Sequence, residues 1–353
     1  MIVRLRRMFR GHTPKAAALA VVAALGCVVA VATAGPKADI SALRPSAIEV
    51  SGRPFAFDRS NPARRDFGRL EWRGGLILSS ASAFFGGYSD LVVSNDGSLL
   101  AISDAGSWLS TTLSLKDGQL TGIGGARIGP LPQKDGRPLR NVRNRDAESL
   151  VALDPGGLEG HYLIGFEDRN RIEEYVFEKG IFRGPVGNRA LPRELSRIDR
   201  KRGLEGMARL SGGPHKGALV AFPERNLDAK RDHAGALIKA DKSYPLFLKR
   251  TAEFDVTSLA SLGDGSLLVL ERSFIRTSLK LDIRLRLIKA ADIKPGARLD
   301  GELLLEAGSN YTIDNFEGMA VTQNEQGETF VTLMSDDNFN FFQRTLLARF
   351  KLK

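Results

Sequence analysis

Five segments of the sequence repeat one short pattern: a polar or acidic residue, a small residue, and then Leu or Met at the start of an apolar stretch. The first members follow one another at intervals of 52 to 60 residues: Ser89, Glu148, Glu205, Thr257 and Glu317. Self-similarity at this period indicates a repeat architecture, in which each unit packs against its neighbours to build a shared core.

Each unit continues as a β-hairpin. A turn rich in Gly and Asn or Asp follows the first strand, since these residues tolerate the positive φ of tight turns. A second apolar strand then ends near an acidic residue, which is Asp104, Glu167, Glu224, Glu271 or Asp336. A third strand and a weaker fourth follow, so the units predict an all-β fold, a β-propeller of about five blades, with six as an alternative count. An irregular pair of β-sandwiches is the competing fold.

The fifth unit reaches the end of the chain after its third strand, residues 345–350. The segment 68–76, upstream of the first unit, resembles a fourth strand. We therefore predict that this N-terminal strand completes the last blade, which closes the ring and removes an exposed sheet edge. The propeller domain then covers residues 68–353, preceded by an N-terminal extension at residues 35–67.

Residues 1–34 have the order of a secretory signal peptide: basic residues, an Ala/Val/Leu-rich run, and a final Ala-Thr-Ala. Cleavage near Ala34 and a periplasmic or secreted location are expected. An uncleaved anchor, twin-arginine export through Arg6 and Arg7, and lipid attachment at Cys27 are alternatives. We expect contact with a membrane only if the leader remains uncleaved or Cys27 carries a lipid. Cys27 is the single cysteine, so the mature chain has no disulfide.

Removal of the five leader cations from the formal charge of +10 leaves a mild positive excess without a basic run, so a nucleic-acid partner is not expected. No nucleophile elbow, zinc-binding helix motif or phosphate loop is present. The acids at the hairpin ends are the remaining candidates. In a propeller, equivalent positions of successive blades converge around the axis, where carboxylates repel one another unless cations neutralise them.

Two kinds of cation could neutralise this ring. Arg169, Arg225 and Arg272 each follow an exit acid closely and could form structural ion pairs or bind an anionic substrate. Calcium is the other candidate because it accepts several carboxylate oxygens, and the sequence offers Asp104, Glu148, Glu167, Glu224, Glu271 and Asp336 as ligands. The stretches Asp336–Asn340 and Asn144–Glu148 are richest in oxygen ligands. Glu205 and Glu317 are the predicted catalytic bases.

Four phrases, residues 146–150, 166–170, 204–207 and 315–320, resemble the phytase-like family, described as having esterase-like activity of phytase. The resemblance implies an exported propeller in the neighbourhood of ester and phosphoester hydrolases, acting on a small anionic substrate. A non-catalytic binding or scaffold propeller and a calcium-dependent lactonase-like enzyme are alternatives. We expect a monomer.

Overall fold

The computed structural model describes residues 38–353, apart from 155, 197, 200 and 241. The predicted signal peptide therefore lies outside the described residues. Within them, no helix has the length and apolar character needed to cross a membrane. The helical segments are α1 (Val142–Arg145) and three short 3-10 turns at Ile40–Ala42, Arg193–Leu195 and Ala290–Asp292.

The strands of the described chain group into five antiparallel blades, as the repeat predicts. Four strands precede the first repeat: β1 (Ser46–Ala47), β2 (Ser51–Pro54), β3 (Asp66–Phe67) and β4 (Leu70–Ser79). Blade 1 contains β5 (Tyr88–Val93), β6 (Ser98–Ser103), β7 (Ser107–Lys116) and β8 (Gln119–Pro130), and blade 2 contains β9 (Ala147–Ala152), β10 (Gly160–Phe166), β11 (Arg171–Glu178) and β12 (Ile181–Arg189). Blade 3 contains β13 (Gly206–Arg209), β14 (Leu219–Phe222), β15 (His233–Lys239) and β16 (Lys242–Leu248).

Blade 4 contains β17 (Asp255–Ser261), β18 (Leu267–Ile275), β19 (Lys280–Ile288) and β21 (Glu302–Ala307), while the short β20 (Arg298–Leu299) pairs in parallel with β16 of blade 3. Blade 5 begins with β22 (Asn315–Gln323), β23 (Thr329–Asp336) and β24 (Thr345–Leu352). The first strands β5, β9, β13, β17 and β22 contact one another in sequence, and β22 contacts β5, which closes the ring around the axis.

The main core of the described chain consists of five apolar layers, one between each pair of neighbouring blades, and a small sixth cluster joins Ile40 and Leu43 to Ile128 of β8. Trp108 of blade 1 is fully buried against Phe177 and Phe182 of blade 2. Trp72 of β4 packs with Phe57 and Phe350 in the layer between blades 5 and 4. Each buried aromatic side chain removes a large apolar area from water, which stabilises the contact between blades.

The prediction that an N-terminal strand completes the last blade is confirmed. β4 pairs antiparallel with β24, with Leu76 opposite Leu347 and Leu78 opposite Thr345. β2, from the predicted N-terminal extension, adds a further strand to the outer edge of the same sheet. The two ends of the propeller are thus held together by backbone hydrogen bonds within blade 5.

Candidate functional site

The start position of four blades is a β-bulge. The pairing register skips Ser89, Glu148, Thr257 and Glu317, while the residues on either side pair normally with the second strand. A bulge inserts one unpaired residue, bends the strand and re-aims the side chain. In blade 3, Glu205 occupies the corresponding place, directly before β13 begins at Gly206.

The acidic start residues and four of the five exit acids meet at one end of the axis, in a cluster that we call the acidic centre. The mutual electrostatic effects among its members show that they lie close together. The acidic centre consists of Asp104 from blade 1, Asp146, Glu148 and Glu167 from blade 2, Glu205 and Glu224 from blade 3, and Glu317 and Asp336 from blade 5.

Burial, reinforced by neighbouring carboxylates, raises the pKa of five of these acids. The pKa values of Glu148, Glu205 and Asp336 lie well above the ordinary range, and that of Glu317 is also raised. For Glu167, burial and then Asp146 raise the pKa to about 8. A cluster of acids that holds protons this firmly is a site where a cation would be strongly favoured.

Blade 4 contributes a cation to this cluster instead of an acid. Arg272 contacts Glu317 and Asn315 of blade 5 and forms an ion pair of 3.1 Å with Glu224 of blade 3. Burial lowers the pKa of Arg272, but the three acids Glu317, Glu224 and Glu205 raise it by more. Arg202 also pairs with Glu224, at 2.8 Å. One side of the acidic centre is therefore neutralised by the protein itself.

The blade 2 side contains a carboxylate triad of different character. One oxygen each from Asp146, Glu148 and Glu167 lies within 4.8 Å of the others. Asp146 follows α1, and its carbonyl oxygen accepts a 2.8 Å hydrogen bond from the Glu167 N–H, so the backbone fixes both ends of the triad. The buried Asn144 Oδ1 has no hydrogen-bond partner among the residues that the structure describes. Three carboxylates and a spare amide oxygen fit the ligand preferences of calcium.

A basic cleft of about 660 Å³ lies beside the triad. The β10–β11 turn begins at Glu167 and continues through Asp168, Arg169 and Asn170. Arg171 is held rigidly by a 3.1 Å ion pair with Glu173 and by stacking on Phe166 at 3.7 Å. The cleft is lined by Arg143, Asp168, Arg169, Asn170, Arg171 and Lys201.

Loops of blades 4 and 5 that leave the same end of the propeller carry exposed apolar side chains. Phe341 and Phe342 form a T-shaped pair on the β23–β24 loop, and their exposed fractions are 95% and 81%. Phe274 and Leu279 are exposed on the β18–β19 hairpin. The surroundings of the acidic centre are thus basic at blade 2 and apolar at blades 4 and 5.

The structure does not bring Glu271 to the acidic centre. Glu271 is opposite Val256 in β17, whereas Arg272 is opposite Asp255, the place that Asp336 occupies in blade 5 opposite Asn315. Successive residues of a strand point to opposite faces of the sheet. Glu271 is one position before Arg272, so its side chain points away from the acidic centre. It is fully buried and forms two hydrogen bonds of 2.6 Å with Arg286.

Arg225 also lies apart from the acidic centre. Its guanidinium holds Asp255 of blade 4, with Nε 2.9 Å from Oδ2, and Arg250 binds the same carboxylate at 3.0 Å. This arrangement is the ion pair between neighbouring blades that the sequence offered as the alternative to substrate binding. Of the three predicted arginines, Arg169 lies in the basic cleft, Arg272 in the acidic centre and Arg225 in an inter-blade ion pair.

Sequence reasoning missed the role of Asp90. Its carboxylate lies near the axis and accepts hydrogen bonds from Leu150 N–H in blade 2, Ser258 Oγ in blade 4 and Met319 N–H in blade 5. Burial raises the pKa of Asp90 to about 8, although these hydrogen bonds act in the opposite direction. The available signal was its position: the other blades have Ser or Gly at this second place of the repeat.

Fold and site together define a closed five-bladed β-propeller with a carboxylate centre at one end of its axis. The chain belongs to the phytase-like family, described as having esterase-like activity of phytase, whose sequence model matches residues 83–339. This membership implies activity of the esterase or phosphatase type.

Two solved structures are distantly similar to this chain. A Dyadobacter fermentans protein of unknown function has 14% identity and a TM-score of 0.39, with 89% of this chain and 96% of that chain covered. The PQQ domain of pyranose dehydrogenase from Coprinopsis cinerea has 9% identity and a TM-score of 0.38, with coverages of 74% and 92%. Neither carries a functional argument. The search of curated proteins gave no match.

Proposed function

We propose that this protein is an exported hydrolase of anionic esters, phosphoesters first, with calcium held at the carboxylate triad of blade 2. The single observation that carries the proposal is the adjacency of opposite charges. The triad ends at Glu167, and the basic cleft begins at the next residue with Asp168 and Arg169. A carboxylate cluster alone would repel an anionic ester, whereas a cation site beside arginines suits one.

The triad residues Asp146, Glu148 and Glu167 would be the calcium ligands, with Asn144 Oδ1 as a further oxygen. Calcium there would supply a positive charge that polarises the ester or phosphoryl oxygen. Arg169 and Arg143, both exposed in the cleft, would hold the anionic group of the substrate through paired N–H donors.

Glu205 is the best-placed general base. It is buried beside Glu148, and burial and neighbouring acids raise its pKa, so its carboxylate is more basic than that of an ordinary glutamate. Calcium at the triad would favour the ionised form of Glu205, which is the form that can accept a proton from an attacking water. Glu317 is less suited to the role because Arg272 and Asn315 already engage its carboxylate. Its role in this proposal is to keep Arg272 in place.

A binding propeller without turnover is the second candidate, supported by the network of Arg272, Glu224 and Glu317, which neutralises part of the acidic centre without any ligand. A lactonase-like activity would use the same ligand types. A substrate panel separates the three functions: aryl phosphates, aryl carboxylate esters and lactones, each with calcium and with EDTA.

The decisive test combines metal removal with substitution. EDTA should abolish hydrolysis, calcium should restore it, and Glu205→Gln should lower kcat about a hundredfold or more, the usual contribution of a general base. Glu302→Gln, which removes an exposed carboxylate from β21, is the matched control and should leave kcat unchanged. Undiminished activity of Glu205→Gln in EDTA would refute the proposal.

A further inference from the structure

A second charged site lies at the other end of the axis, where β22 ends and blade 5 meets blade 1. Its centre is Arg349 on β24, whose exposed fraction is 3%. Arg349 donates hydrogen bonds to Thr332 Oγ1 at 2.8 Å and Thr322 Oγ1 at 3.3 Å, and its guanidinium lies 4.4 Å from the centre of the Phe330 ring. Its Nε is buried and has no hydrogen-bond partner in the described part of the chain.

The guanidinium of Arg349 forms no ion pair with any residue that the structure describes. The buried Arg286 of blade 4 differs, because Glu271 neutralises it. Burial lowers the pKa of Arg349 to about 10, and no carboxylate acts against this shift. Burial of an uncompensated charge is costly, so an isolated guanidinium at this depth needs a counter-ion.

The cations around Arg349 have acidic partners of their own. A register shift between Ala348 and Phe350 leaves Arg349 against the Arg73–Gly74 segment of β4. Arg73 pairs with Glu71 at 3.1 Å, and Lys351 pairs with Glu328. Among the residues that the structure describes, the buried Nε of Arg73 has no hydrogen-bond partner. An anion in the cavity that both arginines line could therefore accept hydrogen bonds from each of them.

A cavity of about 540 Å³ receives these groups. Hydroxyl and amide side chains from the β5–β6 and β22–β23 turns complete it, and Gln323 N–H bonds Asn95 Oδ1 across the two blades at 3.2 Å. Its lining includes the cations Arg73 and Arg349, the polar Ser94 and Thr322, and two acids, the exposed Asp117 and Glu328, which Lys351 neutralises. A cavity of this size exceeds a bare ion and is in the range of small-molecule sites.

We infer that this cavity, the anion pocket, binds a small organic anion whose carboxylate or phosphate group lies against Arg349 and Arg73. The pocket is independent of the acidic centre, since the strands that begin at the acidic centre end here. The planar guanidinium groups match both oxyanions, and the surrounding hydroxyls and amides supply further hydrogen bonds.

The test is calorimetric titration of the full mature chain with inorganic phosphate and, separately, with acetate, at constant ionic strength. We expect saturable binding of one anion at this pocket, with an affinity that falls at least roughly tenfold in Arg349→Met. Arg189→Gln, which removes an exposed arginine from blade 2, is the control and should bind normally. The preferred probe distinguishes a phosphate from a carboxylate ligand.

Arg169→Gln separates the anion pocket from the basic cleft. Binding that disappears in Arg169→Gln but persists in Arg349→Met belongs to the cleft and overturns the inference, as does the absence of saturable binding to the wild type. Thermal unfolding gives a second readout: the anion should raise Tm of the wild type and leave Tm of Arg349→Met unchanged. If Arg349→Met does not fold, two milder variants should still show weakened binding: Arg349→Lys, which keeps the charge but loses the planar guanidinium, and Arg73→Gln, which leaves Arg349 as the single cation of the pair.

Discussion

Asp90 in blade 1 accepts a 2.8 Å hydrogen bond from the backbone N–H of Leu150 in blade 2. Its other oxygen accepts hydrogen bonds from Ser258 in blade 4 and Met319 in blade 5. One carboxylate thus joins four of the five blades near the axis. Gly318 leaves room for it, because a Cβ at that position would lie 3.1 Å from the Asp90 Cα.

Asp90→Ala should therefore destabilise the whole ring. The substitution leaves several buried N–H and O–H donors without an acceptor, and we expect the free energy of unfolding to fall by roughly 3 kcal/mol or more. Urea denaturation measures it. The matched control is Ser149→Ala at the equivalent place of blade 2, which loses a single 2.6 Å hydrogen bond to Leu204 and should cost about 1 kcal/mol. Equal losses in both variants would contradict the central role of Asp90.

The metal-free protein should lose stability as pH rises from about 4.5 to about 8. A carboxyl whose pKa is higher in the folded than in the unfolded state contributes stability that is full below the unfolded value and lost through the folded value. Glu167 spans this window, from its ordinary 4.5 to about 8. Denaturant titrations at several pH values in EDTA should show the decline, and Glu167→Gln should make it shallower. An unchanged slope in that variant would count against the shift.

Glu271→Gln should damage the fold and spare the acidic centre. The substitution leaves Arg286 buried without its counter-charge, and we expect a loss of about 3 to 5 kcal/mol in unfolding free energy. Any hydrolytic activity per folded molecule should stay at the wild-type level. Activity that vanishes while Tm is unchanged would mean that Glu271 acts at the acidic centre after all.

Blade 5 should depend on its N-terminal strand. Trp72→Ala removes a side chain that contacts Phe55, Phe57 and Phe350, and we expect a loss of about 3 to 5 kcal/mol. Deletion of residues 68–80 should abolish cooperative unfolding by heat. A deletion variant with the wild-type Tm would refute the closure by β4.

Arg169→Gln should raise KM for an anionic ester with little change in kcat or Tm. The side chain is exposed in the basic cleft, so its loss removes a substrate contact and no packing. Steady-state kinetics on an aryl phosphate and on a neutral aryl ester test this directly. We expect the effect on KM only for the charged substrate, and an equal effect on both would exclude a charge contact.

The sequence carried enough information for the fold and for part of the site. Offsets between Ser89, Glu148, Glu205, Thr257 and Glu317 reveal the blades because each blade repeats one hairpin. They cannot reveal which face a side chain takes once a bulge disturbs the alternation. For that reason Glu271 was aligned with the other exit acids although Arg272 holds the equivalent place.

The sequence also could not predict which side chains pair between neighbouring blades. The pairing of Arg225 with Asp255 depends on the angle between two adjacent sheets. Asp90 could be recognised only after the axis was known, since a lone acid among small residues at one repeat position has several explanations. Asp146 was visible as an oxygen ligand beside Glu148, but its proximity to Glu167 arises from the β9–β10 pairing.

The pairing of β4 with β24 in blade 5 affects how this chain folds. β4 is made early and finds its partner β24 only when nearly all of the chain has emerged. Pairing between such distant segments is slow to form, and until then the early strand has an unsatisfied edge. If the chain crosses a membrane unfolded, the ring of blades would stay open during transit. It would close only after β24 has crossed and paired with β4.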